Sequence, residues 1–233
     1  THMKQKIVFF GAGWYTIPVM QKLIPHGLDL VITTEKDPES EFLKFCKENN
    51  LPYGNLQNKA PQLSNYSLGV LASFGAIIPQ YVIDTLPNGI INIHPSLLPK
   101  YKGPSPIQYA LLNGEAKTGV TIIKLDDQVD HGPILAQKPY ILVGNETAED
   151  LLSILFEIGA DLLIDKINIL EDGQLLSATP QEHSQETWSR KISKSDGMID
   201  INNPPNTDKL HNMIRAYYPW PGVWFLTTLK GKE

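Results

Sequence analysis

Two polar side chains, Asn92 and His94, stand two residues apart at the end of the apolar run 89–93. In an extended segment residues two apart share a face, so an amide and an imidazole emerge side by side. Pro95 and Pro99 then stop any regular element, and Gly103 closes a short loop that carries Lys100 and Lys102. A third polar residue, Asp130, sits in an acidic loop that ends at Gly132. An amide beside an imidazole can hold a developing oxyanion, and a carboxylate can orient the imidazole and assist proton transfer. That set suits attack on a carbonyl with no nucleophile from the protein. Ser96 lacks the G-x-S-x-G elbow that would make it one. His94, Asp130 and His131 show no H-x-x-x-H or cysteine spacing, so no metal is expected. Taken singly, each residue has a plainer reading: a strand-end histidine, a turn-forming asparagine, a solvated loop acid.

The elements around this set follow an alternating pattern. Lys6, Ile7, Val8, Phe9 and Phe10 lead into Gly11-Ala12-Gly13, as a buried parallel strand enters a turn. A short helix is expected over 17–24. The turn is not a dinucleotide fingerprint, because G-x-G-x-x-G needs glycine where Thr16 stands and Trp14 is bulky. Strands are expected at 28–33, near Tyr53, at 68–72 and at 89–93, with helices over 38–50, 80–86 and 105–113. Two β-rich runs, 118–125 and 134–142, flank the acidic loop and suggest antiparallel pairing. A long helix spans 147–170, with Thr147 as N-cap and Gly173 past its end. The fold class expected is α/β, a Rossmann-like, mostly parallel sheet with a short C-terminal extension.

The chain has 233 residues, 42% of them hydrophobic, enough for a sizeable core. We expect a catalytic domain over 3–176, a linker over 177–205, and over 206–233 the start of a truncated or minimal C-terminal domain. That last stretch should hold a helix at 208–216 and a strand at 223–229. Thr1-His2 precede Met3 and carry no functional weight. No apolar run approaches the roughly 18 residues a membrane span needs, and no signal peptide is visible. Cys46 is the single cysteine, which fits a reducing, cytoplasmic setting. Its helical spacing from Phe42 and Leu43 marks it as a packing residue. A net charge of −5 and only two arginines, Arg190 and Arg215, argue weakly against a large nucleic-acid surface.

Asn92-Ile-His94, Pro95-Ser-Leu-Leu-Pro99, Gly103, Pro106-Ile-Gln, Thr118-Gly-Val-Thr and Asp130-His-Gly132 together resemble the folate-dependent formyltransferase family, over nearly the whole chain. The resemblance implies Asn92, His94 and Asp130 as catalytic residues, 10-formyltetrahydrofolate as donor, and an amine as acceptor. It implies that the folate lies against Phe74, Gly75, Ala76, Ile77 and Ile78 and against Asp126, Asp127, Gln128 and Val129. Ser96, Leu97, Leu98 and Pro99 also count as part of the family's folate site.

Two acceptors compete. Phe9-Phe10-Gly11 with Ile17-Pro18-Val19, the run 189–200, and Pro219-Trp-Pro-Gly-Val-Trp224 resemble the branch of the family that formylates charged initiator tRNA. That branch carries a basic loop after its second strand and a C-terminal barrel, whereas here Thr34-Glu35-Lys36-Asp37 leads straight into a helix. The alternative acceptor is an amino-sugar nucleotide. A catalytically silent binding protein on the same fold is the third reading. Lys100, Lys102 and Gly103 are the candidate acceptor-binding residues. The two lysines are either solvated or reach a phosphate of tRNA or of a nucleotide. Trp220 and Trp224 read as interdomain packing.

Overall fold

The computed structural model describes residues 5–227. One seven-stranded sheet forms the centre, in the order β3-β2-β1-β4-β5-β6-β7. Its strands are β1 (Ile7–Gly11), β2 (Leu28–Ile32), β3 (Tyr53–Gly54), β4 (Leu68–Ala72), β5 (Ile90–His94), β6 (Lys117–Lys124) and β7 (Ile134–Ile141). The first five pair in parallel, and β6 and β7 run antiparallel, as the two β-rich runs around the acidic loop suggested.

The helices are α1 (Ile17–Leu23), α2 (Glu41–Glu48), α3 (Leu56–Lys59), α4 (Gln80–Thr85), α5 (Pro106–Leu112), α6 (Ala148–Glu171) and α7 (Thr207–Ala216). The expected helix over 38–50 is shorter, because the Ser40 side chain caps it by accepting from the Leu43 amide. Thr147 and Asp150 form a capping box that starts α6. Between Gly11 and α1, Gly13 takes a φ of 86° and Trp14–Thr16 makes one 3-10 turn, so the glycines serve a tight strand-to-helix turn. The strand expected over 223–229 is reduced to a bridge of Trp224 to Met198, and its last two positions lie outside the described residues.

The central strands β1, β4, β5 and β6 are buried on both sides. Ile91 and Ile93 of β5 face a core shared with Phe156, Ala160 and Leu163 of α6, while Ile90 packs with Val82 and Ile83 of α4. Gly159 lets α6 approach β5 closely, since a Cβ there would lie 2.5 Å from Ile93 Cγ2. Cys46 is fully buried, and burial pushes its thiol up to about 11, which fits a packing role. No helix among the described residues is long and apolar enough to cross a membrane. The stretch 177–205 packs on the sheet domain: Thr179 bridges to Ile134, Trp188 bridges to Lys102, the Ser189 amide donates to the Lys102 carbonyl, and the Lys102 amide donates to the Thr187 carbonyl.

Candidate active site

Strand order reverses at β1 and β4, where the chain leaves β1 toward β2 on one side and reaches β4 and β5 on the other. Open α/β sheets hold ligands in the crevice beyond the strand ends at such a point. A cavity of about 560 Å³ lies there, lined by Tyr15, by residues 73–78, by residues 92–95, by residues 103–104 and 106–108 and by residues 125–130.

Asn92 and His94 point into it from the end of β5, and both are buried, at 5% and 4% exposure. Their shared face follows from the two-residue period of the strand, whose other face, Ile91 and Ile93, is in the core. Asp130 arrives from the loop joining β6 to β7. Its carboxylate Oδ1 lies 3.5 Å from His94 Nδ1 and accepts from Asn92 Nδ2 at 3.4 Å, while Oδ2 accepts the Gly103 amide at 2.8 Å. The other imidazole nitrogen, Nε2, lies 2.9 Å from the Tyr101 carbonyl. A carbonyl only accepts, so Nε2 carries a hydrogen and Nδ1 is the nitrogen presented to Asp130. Asp130 itself holds a left-handed backbone, with φ 49°.

Phe74, Gly75, Ala76, Ile77 and Ile78 line one wall, and Asp126, Asp127, Gln128 and Val129 the facing rim. Ile77 is 82% exposed beside this cavity, an apolar side chain left without cover. Phe74 and Ile78 are buried in the core behind. This mix of apolar wall and loop polar groups fits a flat heteroaromatic ligand with hydrogen-bonding edges. The expected contribution of Ser96, Leu97, Leu98 and Pro99 is not found on the cavity lining. Ser96 is fully buried and donates to the Lys100 carbonyl, the Leu98 amide donates to Thr121 Oγ1, and Gln137 donates to the Leu98 carbonyl. That turn braces the loop from behind.

The Lys102 side chain is 1% exposed, donates 2.6 Å to Glu186 and stands over the Trp188 ring, away from the cavity lining. Lys100 stays half-exposed, 3.7 Å from Glu115. Gly103 faces the cavity, and its amide is spent on Asp130. Trp220 is 53% exposed, while Trp224 donates its indole to the Lys194 carbonyl.

Sequence reasoning missed Tyr15, Gln108 and Ser73 on the lining. Tyr15 donates to or accepts from Ser73 at 2.8 Å, and burial pushes its phenol up from the usual value. It also missed Gln181, which donates to the carbonyls of Asp130 and Gly132. An aromatic just past the first strand's glycines was the only available sign for Tyr15. Gln181 gave none.

The formyl transferase family model matches residues 33–167, and that of the formyl transferase C-terminal domain matches residues 191–233. A methionyl-tRNA formyltransferase of Roseiflexus castenholzii is 42% identical, over 98% of this chain and 77% of its own. Among solved structures, a 4-N formyltransferase from Francisella tularensis superposes with a TM-score of 0.81 at 18% identity, covering 97% of this chain and 94% of that one. An N-formyltransferase from Helicobacter canadensis, solved with folinic acid and dTDP-3-aminofucose, gives 0.71 at 23% identity over 91% and 80%.

Proposed function

The chain belongs to the formyl transferase family and is a formyl-transferring enzyme, and on that premise we propose that it moves a formyl group from 10-formyltetrahydrofolate to the amino group of methionyl-tRNA. The observation that carries this reading is the convergence of Asn92, His94 and Asp130 on one wall of a cavity whose lining includes no activated serine or cysteine.

When bound, the donor supplies an N10-formyl carbonyl; the apolar wall of residues 74–78 and the loop of residues 126–130 are where it fits. Asn92 keeps one amide N–H beyond its bond to Asp130 and offers it to the formyl oxygen as charge builds there. His94 presents Nδ1 beside it, a second donor when the ring is protonated. Asp130, fixed by the Gly103 amide, receives the proton that the attacking amine loses, directly or through water. The new bond joins the amine nitrogen to the formyl carbon, the bond to N10 breaks, and the proton ends on N10. Residues 3–176 carry this chemistry, ahead of the stretch 191–233 that matches the family's C-terminal domain.

A second reading, transfer to an amino-sugar nucleotide, is favoured by one observation. Only residues 33–40 connect β2 to α2, so this edge carries no basic loop for an acceptor stem. Incubation with 10-formyltetrahydrofolate and either methionyl-tRNA or a dTDP-linked amino sugar separates the two by mass spectrometry. Formylmethionyl-tRNA supports the proposal, a formylated sugar alone replaces it with the second reading, and neither product overturns both.

A further inference from the structure

Resting on that proposed formyl transfer, we propose that Gln181 is a positioning residue of the site, setting Asp130 through its main chain. Gln181 lies in the polar stretch between the sheet domain and α7, yet it is only 6% exposed. Its Nε2 donates 2.9 Å to the Asp130 carbonyl and 2.8 Å to the Gly132 carbonyl. Two facing carbonyls fix which way round the amide sits, because the reverse orientation would set oxygen against both. Its own Oε1 is buried without a hydrogen-bond partner among the described residues.

What the donor end does is local. Asp130 holds φ 49°, a conformation a non-glycine residue keeps only when its surroundings impose it. The same segment clamps the loop a second time: the His183 ring stacks on His131 at 4.1 Å, and His131 is bonded to Asp126 at 2.7 Å. It also holds the other support of the carboxylate, since Ser189 and Thr187 pair with the main chain of Lys102, next to Gly103. Gln181 does not itself line the cavity; it acts through Asp130, which does.

Three variants test this, read by kinetics, by Tm and by nuclear magnetic resonance. Gln181→Leu removes the donors at similar volume. Expected is a fall in kcat of about 10- to 100-fold, as for a reacting group displaced by an ångström or less, with KM for donor and acceptor within about threefold of wild type. Gln181→Glu keeps the shape but sets a carboxylate against two carbonyls, which a proton relieves. Its activity relative to wild type should therefore rise as pH is lowered from about 8 to about 6, whereas that of Gln181→Leu stays flat. Gln181→Asn should recover little, because the shorter amide cannot reach both carbonyls. A lowered Tm with kcat unchanged in Gln181→Leu and Gln181→Glu overturns the proposal and leaves a purely structural residue. The 15N signals of the His94 ring are read in parallel, without substrate. If wild type transfers no formyl group, the functional reading fails, while a His94 signal moved in Gln181→Leu upholds the positioning and an unmoved one overturns it.

Discussion

His94 Nδ1 faces Asp130 Oδ1 at 3.5 Å, and the same ring is anchored through Nε2 at 2.9 Å from the Tyr101 carbonyl. The anchor commits Nε2 to donation, so any proton the ring gains or loses passes at Nδ1, in front of the carboxylate. Tyr101 is itself held: its phenol donates 2.5 Å to Glu115 and burial pushes it up to about 12, so it stays protonated through the neutral range. The dyad is therefore assembled from β5, the turn at residues 100–103 and the β6–β7 loop.

Asp130→Asn removes the charge while keeping the shape, and asparagine tolerates the left-handed backbone that Asp130 holds. The expected outcome is a fall in kcat of about 10²- to 10⁴-fold, with far-ultraviolet circular dichroism and Tm close to wild type. Steady-state formylation kinetics check it, and a kcat near wild type would remove Asp130 from the chemistry.

How much of this was legible from sequence depends on the range of the contact. Asn92 and His94 were readable because a two-residue period places both on one face of a strand whose alternate residues are isoleucines. The antiparallel β6–β7 pair was readable from two β-rich runs around one acidic loop. The ion pair of Lys102 was not readable because its partner, Glu186, is far away in sequence within a stretch whose polarity reads as a linker. Gln181 was missed for the same reason, and the 96–99 turn because proline spacing shows a stiff loop without showing which side of the strand it lies on.

Lys102→Met follows from that ion pair. The Lys102 hydrogen bond is the main influence holding Glu186 below its ordinary value of 4.5. A depressed carboxylate stabilises the fold above its ordinary value and loses that contribution as pH falls through its folded value. Thermal melts should show Lys102→Met melting below wild type at pH 7, with the gap narrowing under acid conditions below about pH 4.5. KM for the acceptor should not change and should gain no salt dependence. A raised, salt-sensitive KM would return Lys102 to phosphate binding.

Gly159→Ala tests how closely the site strand depends on α6. The added Cβ would meet Ile93 Cγ2 at 2.5 Å and Val120 Cγ2 at 3.1 Å. Alanine favours a helix over glycine by about 1 kcal/mol, but overpacking a filled core costs about 1–3 kcal/mol. The clash wins, so Tm should fall, and kcat should fall with it because Ile93 lies between Asn92 and His94. A Tm above wild type, measured by differential scanning calorimetry, would show that α6 shifts freely away from β5.

The most direct test of formyl transfer without a protein nucleophile follows the formyl carbon itself. Enzyme, methionyl-tRNA and a 13C-formyl-labelled 10-formyltetrahydrofolate are mixed, quenched on the millisecond scale and read by mass spectrometry of both protein and acceptor. Direct attack at a site built from Asn92, His94 and Asp130 predicts label appearing on the acceptor with none on the protein, and intersecting initial-velocity lines when both substrates are varied. Label trapped on the protein, with parallel lines, would contradict it.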